Sequence, residues 1–447
     1  MSAKHASKLN SKFKHALDLH EQGKRQQAGK LYRSILNARP GHPGALLYLG
    51  VLSHQQGEGE AAIRLIRQAI QQQPGYLDAF MNLGNVYQGQ QRFSEAEDCY
   101  RKVITHQPDD VSAHSNLGVC LRRLERFDEA ISVGRKAVEL DPEYLIAWYN
   151  LGNAYRVAQK FNQAVVCYQH AIDLKPDFPL AHDGLCQSTF QLEHRSLLGK
   201  RSFSKSIAAY EQWLLCEPDN ALPQFMLQAI RGDEKLTRAP DSVVRTMFDQ
   251  FASTFEQHLG SLEYKLPQQL TGMVQELLGP PQASLKIFDG GCGTGLCAPA
   301  LKPWASKLIG VDISSAMLSK AREKQLYDNL FESELTHFLE HYQAAFDLAV
   351  FADTLIYFGD LEDVLRATAH ALANGGALLF TLEASPAQNS KDYSLHPTGR
   401  YSHSAVYVEK ILKACGFSRI RIGYDSTRNE VGKAVPGLVV SARKSLT

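Results

Sequence analysis

Residues 285–295 read L-K-I-F-D-G-G-C-G-T-G, and this stretch decides the fold of the second half of the chain. Its apolar start, 285–288, predicts a buried parallel strand. Residues 296–302 can begin a helix directly after it. A strand, a tight glycine turn and a helix N-terminus together form a cradle for a nucleotide cofactor. The glycines that let a ligand approach the backbone are Gly291, Gly293 and Gly295.

The glycines can be aligned with two motifs. From Gly293, G-T-G-L-C-A fits the dinucleotide form G-x-G-x-x-A and predicts a nicotinamide oxidoreductase, although this register begins two residues late relative to the strand. The other register, D-G-G-C-G-T-G, includes Asp289 at the strand end. A second strand, within I-G-V-D-I-S-S, ends in Asp312. An acid about 20 residues past the glycines suits ribose recognition. A glycine turn beside an ordinary surface acid is the remaining alternative.

The second register resembles motif I of class I S-adenosylmethionine (SAM) methyltransferases. The resemblance implies SAM as cofactor, held by Asp289, the three glycines, Asp312 and Ile313. In that family an acid after the third strand takes the adenine amino group, and Glu334 occupies this place although Asp is more usual. Tyr264 is a further candidate for cofactor contact.

Length and composition describe an ordinary globular protein. The chain has 447 residues, a net charge of +1 and 44% hydrophobic residues, which favours two to four domains and argues against nucleic acid as the main partner. No apolar run suits a membrane helix, and the basic N-terminus does not resemble a secretory signal. The eight cysteines show no zinc spacing. We therefore expect a cytoplasmic protein without a metal site.

The first half of the chain repeats with a period of 34 residues. The motifs N-L-G-N-V-Y, N-L-G-V-C-L and N-L-G-N-A-Y begin at Asn82, Asn116 and Asn150, and small residues and prolines recur at the same interval. This pattern resembles the tetratricopeptide repeat and predicts an α-solenoid. We count repeats at 9–42, 43–76, 77–110, 111–144 and 145–178. A sixth is broken by an insertion at 194–201, and 222–230 can form a capping helix.

The recurring asparagines suggest how the repeats bind. Asn82, Asn116 and Asn150 share one position on the first helix of each repeat and predict a ladder that hydrogen-bonds an extended protein or peptide partner. This resembles the asparagine ladder of O-linked glycosyltransferases. Alternatively, asparagine only supports the repeat at this position.

The composition changes at 231–242, which is polar and contains Gly232 and Pro240. We therefore expect a tetratricopeptide array at 1–230, a linker at 231–242 and a methyltransferase domain at 243–447. Residues 243–259 predict one helix with an apolar side, which is either a lid over the cofactor or a docking helix. Strands and helices then alternate as in a doubly wound, Rossmann-like α/β sheet, and 417–422 with 437–442 predict a closing antiparallel hairpin.

The acceptor site is expected beyond the fourth and fifth strands, where ligands bind in such sheets. A general base is needed only if the nucleophile keeps its proton at neutral pH, and the candidates are Asp353, Tyr357, Tyr401 and His403. The polar stretch 395–404 adds His396 and Arg400 as substrate contacts, because arginine can grip a carboxylate or phosphate. Alternatively, the polar groups of this loop satisfy one another.

These observations predict a SAM-dependent methyltransferase that acts on a small molecule or a protein-carried acceptor, with the repeats recruiting a protein partner. The alternative is an adaptor whose repeats do the work and whose cofactor domain is inactive. The segment after the fourth strand lacks the D/N-P-P-Y/F of enzymes that methylate exocyclic base amines.

Overall fold

The computed structural model describes residues 3–195, 203–233, 235–262, 264–386, 391–430 and 433–446. The chain divides into two compact units, residues 1–209 and 210–447. The predicted linker, 231–242, lies within the second unit. Of the predicted insertion at 194–201, residues 196–201 lie outside the described residues.

The first part of the chain is a series of antiparallel helix pairs, as the 34-residue period predicts. The first helices of successive pairs begin at Pro43, Leu77, Val111, Leu145 and Pro179, so the period is kept through five pairs. The repeat helices are α1 (Ala3–Glu21), α2 (Arg25–Ala38), α3 (Pro43–Gln55), α4 (Gly59–Gln72), α5 (Leu77–Gly89), α6 (Phe93–His106), α7 (Val111–Arg123), α8 (Phe127–Leu140), α9 (Leu145–Val157), α10 (Phe161–Leu174), α11 (Pro179–His194) and α12 (Ser204–Cys216).

Small residues allow the two helices of a pair to approach closely. In the third pair, the Cβ of a residue larger than Gly84 would lie 2.7 Å from the ring of Tyr100. Tyr100 is fully buried, and its hydroxyl donates to Asn85 Oδ1 at 2.8 Å. The alanines of the second helices are buried as well, which confirms that they lie where the helices cross: Ala28, Ala62, Ala96, Ala130 and Ala164.

The second unit alternates helices and strands. The helices that follow α12 are α13 (Ala221–Arg231), α14 (Asp241–Phe251), α15 (Phe255–Ser261), α16 (Leu266–Leu278), α17 (Ala298–Leu301), α18 (Ser315–Glu323), α19 (Leu335–Glu340), α20 (Glu362–Ala371) and α21 (Ala405–Ala414). The strands are β1 (Leu285–Gly290), β2 (Ala305–Asp312), β3 (Asn329–Glu332), β4 (Phe346–Phe351), β5 (Leu372–Ala384), β6 (Tyr393–Leu395), β7 (Tyr401–His403), β8 (Phe417–Glu430) and β9 (Lys433–Lys444). Single 3-10 turns lie at Lys302–Trp304 and Leu355–Tyr357.

In the part of the chain that the structure describes, these nine strands form one sheet. The order β3-β2-β1-β4-β5 is parallel throughout, and β9 joins β5 in antiparallel pairing with β8 outside it. The chain leaves β1 toward β2 on one side and returns to β4 on the other side. The crevice for a ligand in such sheets opens at this switch point, beyond the carboxyl ends of β1 and β4.

Apolar clusters cover both faces of the sheet, as a buried parallel sheet requires. One face packs Leu270 and Val274 of α16 against Ile287, Leu348 and neighbouring strand residues. The other face packs α19, α20 and α21 around Phe288, Val311, Phe351 and Phe380. The strands therefore hold their carboxyl ends in fixed relative positions.

Two predicted helices differ from the structure. The helix after the glycine turn, predicted at 296–302, is only the four residues of α17, so its N-terminal dipole adds little to the cradle. The single helix predicted at 243–259 is two helices, α14 and α15, separated by residues 252–254. The apolar run F-D-L-A-V-F predicts the fourth strand at 346–351, where β4 lies, and the closing hairpin is longer than predicted.

No described helix combines the length and the apolar content that crossing a bilayer requires. Among the described residues, no three His, Cys, Asp or Glu side chains converge as a metal site would need. All eight cysteines are described and are free thiols.

Candidate functional site

The turn between β1 and α17 is built on left-handed glycines and is tied to β2. Gly291, Gly293 and Gly295 have φ of +71°, +53° and +80°, a region that other residues enter only at a cost. The N–H groups of Gly291 and Cys292 both donate to Val311 O, at 2.8 and 3.0 Å. The turn therefore has one conformation, fixed by the end of β2.

Asp312 closes this arrangement from the end of β2. Its Oδ2 accepts the Gly293 N–H at 2.9 Å, and its Oδ1 accepts the Ser314 N–H at 2.9 Å. Burial raises the pKa of Asp312, and these two N–H groups oppose the rise. Each carboxylate oxygen has a second lone pair and can accept a further donor, such as a ribose hydroxyl.

Asp289 is buried beneath the turn and is held by a residue that the sequence analysis did not identify. The Tyr327 hydroxyl donates to Asp289 Oδ2 at 2.6 Å. Burial raises the pKa of Asp289 to about 6, against the effect of the Tyr327 hydrogen bond. The Tyr327 ring also lies 3.0 Å from the place where a Cβ on Gly295 would be. Tyr327 thus supports both the acid and the glycine turn.

The space beside Gly293 is open and can receive a ligand. Among the described residues, a Cβ on Gly293 would have only Phe255 Cε1 within 4 Å, at 3.8 Å, whereas a Cβ on Gly291 would collide with Thr354 at 2.2 Å. Phe255 begins α15, so an aromatic side chain lies over the open side of the turn. The two acids and this open space fit a bound adenosyl cofactor.

Helices α14 and α15 are anchored to the segment that follows β2. Asp249 Oδ1 accepts the Ser314 hydroxyl at 2.6 Å and the Ala316 N–H at 3.3 Å. Arg245 Nε donates to Ile313 O at 3.2 Å. The Phe248 ring contacts Phe255 and Tyr357 edge-on, with centroids 6.1 and 5.6 Å apart. This arrangement agrees with a lid, although the lid remains a prediction.

Glu334, the predicted adenine acid, caps α19. Its Oε1 and Oε2 accept the N–H groups of Thr336 and His337, and Arg238 pairs with Oε1 at 3.3 Å. Burial works to raise the pKa of Glu334, but the two N–H groups and Arg238 hold it below its ordinary value. The carboxylate therefore stays ionised and can accept from an amino group. Ile313 is half-buried, between Asp312 and Ser314.

Asp353 follows β4 in a strained conformation. Its φ is +51°, a value that is uncommon for a residue with a side chain. Thr381 of β5 holds it twice: the Asp353 N–H donates to Thr381 Oγ1 at 2.8 Å, and the Thr381 hydroxyl donates to Asp353 Oδ1 at 2.8 Å. Tyr357 lies one short turn later, half-buried against Phe248. Two of the four predicted bases therefore lie at the carboxyl end of β4.

The other two predicted bases, Tyr401 and His403, are fully buried in β7. The Tyr401 hydroxyl donates to Leu236 O at 3.2 Å, and His403 Nε2 lies 3.0 Å from Gly359 O. Burial lowers the pKa of His403 to about 4 and raises that of Tyr401. Both side chains lie in the core, and their role as bases remains a prediction.

The predicted substrate contacts, Arg400 and His396, interact with neighbouring strands. Arg400 Nε pairs with Glu383 Oε1 at 2.7 Å, and His396 Nε2 lies 2.7 Å from Ser402 Oγ. Burial lowers the pKa of His396, so the ring is neutral at pH 7. The polar groups of this hairpin thus satisfy one another at least in part, which was the alternative interpretation of the sequence.

The segment predicted as a linker is bonded to the loop after β4. Thr237 O accepts the N–H groups of Gly359 and Asp360 at 2.7 and 2.9 Å, and the Ala239 N–H donates to Tyr357 O at 2.8 Å. The Arg238 guanidinium lies 4.7 Å from the centroid of the Phe358 ring. Residues 236–240 thus form a strap that is bonded to the loop after β4.

Tyr264 lies just before α16. With Lys265, Gln268 and Gln269 it lines an open cavity of about 490 Å³ near the start of α16. Gln269 Nε2 donates to Asp425 Oδ2 of β8 at 3.0 Å, so this cavity lies toward the β8 side of the sheet. The predicted contact of Tyr264 with the cofactor remains a prediction.

The asparagines of the repeats form a partial ladder. Asn116 Nδ2 donates to Asn85 Oδ1 at 3.2 Å, and Asn150 Nδ2 donates to Ser115 Oγ at 2.9 Å. Asn82 Nδ2 instead donates to the backbone of its own helix, at Asp78 O. Two of the three side chains thus bridge neighbouring first helices.

Sequence reasoning missed the supports of the site. Tyr327, Thr381 and Asp249 lie 38, 28 and 65 residues from the residues that they hold. Thr354 is a fourth support, because its hydroxyl donates to Gly290 O at 3.0 Å. The sequence could have identified it, since it directly follows Asp353. No local pattern marks the other three.

Comparisons with known proteins agree with this geometry. Residues 262–421 match a family model described as a methyltransferase domain, and 13–76, 81–144 and 146–178 match tetratricopeptide repeat models. The chain therefore combines tetratricopeptide repeats with a methyltransferase domain.

Three curated relatives match parts of the chain. The malonyl-[acyl-carrier protein] O-methyltransferase of Salmonella typhimurium is 28% identical over 138 residues, 31% of this chain and 52% of the relative. The ubiquinone biosynthesis O-methyltransferase of Thiobacillus denitrificans is 32% identical over 139 residues, 30% of this chain and 55% of the relative. Human methyltransferase-like protein 27 is 39% identical over 85 residues, 19% and 34% of the two chains. The chain spans about a third to a half of these relatives' lengths.

Among solved structures, PilF of Pseudomonas aeruginosa is 16% identical, with a TM-score of 0.41, and the match covers 48% of this chain and 95% of PilF. YrrB, titled a tetratricopeptide protein with an unusual peptide-binding site, is 18% identical, with a TM-score of 0.36 over 43% and 95% of the chains.

Proposed function

We propose that this protein is a SAM-dependent methyltransferase that methylates an oxygen atom of a small or protein-carried acceptor, and that its repeats recruit a protein partner. The observation that carries the proposal is the glycine turn locked by Asp312. Its two buried acids and the open space beside Gly293 have the chemistry that an adenosyl cofactor needs.

The cofactor, when bound, supplies a methyl group that its sulfonium already activates. In the proposal, Asp312 accepts the ribose hydroxyls and Glu334 the adenine amino group, because both carboxylates are fixed by backbone N–H groups and keep free lone pairs. Asp289 lies beneath the turn, where its charge favours a cationic group. Phe255 and Phe248 exclude water from the open side.

We assign Asp353 as the group that takes the proton of an acceptor hydroxyl. It lies at the switch-point edge, and Thr381 fixes its carboxylate and its backbone in a strained conformation. Such strain is retained where the surrounding structure determines it, commonly at functional sites. We keep Arg400 and His396, which are both near Glu383, as candidates for contact with the acceptor.

Two relatives named above are O-methyltransferases, and one of them acts on a malonyl group on an acyl-carrier protein. These names support transfer of the methyl group to an oxygen atom, and they are compatible with an acceptor that is carried by a protein. A repeat array joined to the methyltransferase domain supports the second possibility, since such arrays bind protein segments. We also propose a cytoplasmic location, on the basis of the eight free thiols.

The first test is calorimetric titration of the full-length protein with S-adenosylhomocysteine. Micromolar binding is expected, with a loss of at least about a hundredfold in Asp312→Ala, because two backbone donors and the ribose hydroxyls lose their acceptor. Asp328→Ala, at an exposed acid of the same unit, serves as the control. Absence of binding in a folded protein would contradict the proposal and favour an adaptor.

The second test concerns the base. With labelled SAM and a cell extract as the source of acceptor, Asp353→Asn should lower methyl transfer by about a hundredfold or more while S-adenosylhomocysteine binding stays unchanged. Thr381→Val, which removes the hydroxyl that orients Asp353, should give a smaller loss. Equal rates in all three proteins would exclude Asp353 as the base.

A further inference from the structure

Asp289 has fewer hydrogen-bond donors than the two other acids of the candidate cofactor site. Asp312 accepts two backbone N–H groups, and Glu334 accepts two and pairs with Arg238. Asp289 is only 1% exposed, and among the described residues its carboxylate accepts one hydrogen bond, from the Tyr327 hydroxyl at 2.6 Å. Buried carboxylates normally accept more, because a buried charge without donors is costly. The other oxygen, Oδ1, can therefore accept a donor from a ligand.

The packing of the Tyr327 ring holds the hydroxyl at this carboxylate. Added Cβ atoms on Gly295 and Gly310 would lie 3.0 and 2.8 Å from the ring, so the two glycines leave just enough space for it. The next residue, Asp328, is fixed to β2: its N–H donates to Leu308 O at 2.9 Å, and its carboxylate accepts the Leu308 N–H at 2.7 Å. A phenylalanine ring would fill the same space, so packing alone does not require the hydroxyl.

Four titratable groups face Asp289, and three of them are neutral near pH 7. Burial raises the pKa values of Cys292, Cys297 and Tyr327 well above their ordinary ranges. The fourth is Asp312, whose own pKa burial also raises. Burial raises the pKa of Asp289 to about 6, the Tyr327 hydrogen bond opposes this rise, and Asp312 adds to it. Loss of the Tyr327 hydroxyl would therefore move the pKa of Asp289 further upward and favour the neutral acid at pH 7.

The strand order relates Asp289 to the other two acids. In the function proposed above, Glu334 follows β3 and accepts the adenine amino group, and Asp312 ends β2 and accepts the ribose hydroxyls. The next strand in the order β3-β2-β1-β4 is β1, which carries Asp289 at its carboxyl end. The amino-acid end of the cofactor, with its ammonium group, is expected to extend in this direction. An ionised carboxylate there would attract that cation.

We propose that Tyr327 is a positioning residue for cofactor binding, whose hydroxyl holds the Asp289 carboxylate as the charged acceptor for the ammonium group of the cofactor. A hydroxyl that donates to a carboxylate stabilises its ionised form, and such hydrogen bonds are stronger than those between neutral groups. The inference rests on the cofactor role proposed above. It adds the residue that sets the charge and the orientation of the acid beneath the glycine turn.

The experiment titrates the full-length protein with two ligands between pH 5 and 8. S-adenosylhomocysteine carries the amino-acid end, whereas 5′-methylthioadenosine has the same nucleoside without it. Calorimetry is expected to show that S-adenosylhomocysteine binds more weakly below about pH 6, where Asp289 takes up a proton, while the affinity for 5′-methylthioadenosine stays constant. Binding of S-adenosylhomocysteine that does not depend on pH would overturn the proposal.

Tyr327→Phe should move the midpoint of this pH dependence upward by about one unit or more, because the carboxylate loses its donor. At pH 7 the affinity for S-adenosylhomocysteine should fall about tenfold, with no change for 5′-methylthioadenosine. Tyr342→Phe, which removes the hydroxyl of a half-buried tyrosine of the same unit, should bind both ligands like the native protein. Native affinities in Tyr327→Phe, or an equal loss for both ligands with an unmoved midpoint, would overturn the proposal.

Asp289→Asn tests the same link with a second variant. Its amide cannot titrate, so S-adenosylhomocysteine should bind weakly at every pH, and adding Tyr327→Phe should lower the affinity by about twofold or less. A pH dependence that persists in Asp289→Asn would assign the proton to another group, such as Asp312, and refute the proposal. Native binding of S-adenosylhomocysteine that none of these variants changes contradicts only this inference. If the native protein binds neither ligand, the proposed function fails and this inference fails with it.

Discussion

Gly84 in the repeat array and Gly291 in the turn after β1 both exclude a side chain, but they do so for different physical reasons. Gly84 lies inside α5, where only space is short: a Cβ would meet the Tyr100 ring at 2.7 Å. Gly291 has φ of +71°, and a Cβ there would also meet Thr354 at 2.2 Å. At Gly84 only the lack of space excludes a side chain, whereas at Gly291 both the lack of space and the backbone conformation exclude one.

The partners of the two glycines also differ in distance along the chain. Tyr100 lies within the same repeat as Gly84, and the same contact recurs at Gly152 with Tyr168. Thr354 is more than 60 residues from Gly291, and it reaches the turn only because β1 and β4 are neighbours in the sheet. A periodic sequence thus repeats its packing rule, while the turn depends on residues that the topology brings together.

The largest effect is expected from Gly291→Ala. The left-handed conformation and the collision with Thr354 together should lower the free energy of unfolding of the second unit by about 3–5 kcal/mol. Gly293→Ala is the matched control, because its Cβ would face open space and only the φ penalty, about 1–2 kcal/mol, applies. Urea unfolding followed by hydrogen exchange of β1 and β4 would measure both.

Cofactor titration sharpens this pair. Gly293→Ala should keep the fold and still lose S-adenosylhomocysteine binding, since the added methyl group fills the proposed ligand space. If Gly291→Ala were no less stable than Gly293→Ala, the collision with Thr354 would have no measurable cost. Lack of space and backbone conformation would then not act as separate constraints at the turn.

The pH dependence of stability should also differ between the sheet around β1 and the helix pair α5 and α6. Burial raises the pKa of Asp289 to about 6 from its ordinary value near 4, so between these two pH values the folded state binds more protons than the unfolded state. Stability of the second unit should therefore fall as pH rises from about 4 to 6, by roughly 3 kcal/mol from this group. Hydrogen exchange of β1 amides across this range, corrected for the intrinsic rate, measures it.

Asp289→Asn tests the assignment, because an amide of the same shape cannot titrate. In this variant, the hydrogen exchange of the β1 amides should depend less on pH, while the exchange of α5 and α6 should keep its native pH dependence. A native profile in the variant would assign the proton to another group, of which Asp312 is the nearest candidate.

The same contrast explains what the sequence could predict. The helix pairs follow from the 34-residue period, and β4 and the turn glycines follow from an apolar run and a motif. Tyr327 and Thr381 could not be found, because nothing near them in the chain shows that Asp289 and Asp353 need a partner. Residue type and a place after the fifth strand predict Tyr401 and His403 as bases, and only the structure shows that both are buried.

The break between α14 and α15 illustrates a second limit. An apolar side continues through 243–259, so periodicity predicts one helix, yet the chain bends at residues 252–254 and brings Phe255 over Gly293. Tertiary contacts, such as that of Asp249 with Ser314, override local helical preference here. Boundaries set by distant partners cannot be read from a local pattern.

A smaller effect, with opposite signs, is expected within the array. Gly84→Ala should lower the free energy of unfolding by about 1–3 kcal/mol, because Tyr100 is buried and hydrogen-bonded and cannot move aside. Gly118→Ala should be neutral or stabilising by up to about 1 kcal/mol, since its Cβ would meet no atom closer than 3.5 Å and alanine favours the helix. Thermal unfolding of the two variants tests whether the available space alone decides the cost of an alanine. Equal losses of unfolding free energy in both variants would indicate that both positions require glycine for another reason.

The smallest effect concerns the contact between α14 and the segment after β2. Asp249→Ala removes the acceptor for the Ser314 hydroxyl and the Ala316 N–H, so the helix pair over the turn should open more often. We expect binding of S-adenosylhomocysteine to weaken by about threefold to tenfold with little change in melting temperature, because an exposed hydrogen bond contributes only about 1 kcal/mol. Asp249→Asn keeps a carbonyl acceptor and should recover part of the affinity. In the alanine variant, hydrogen exchange should become faster in α14 and α15 but not at the glycine turn, which would show that the contact acts on these two helices. If the alanine variant bound S-adenosylhomocysteine with native affinity, the two helices would have no role in cofactor binding.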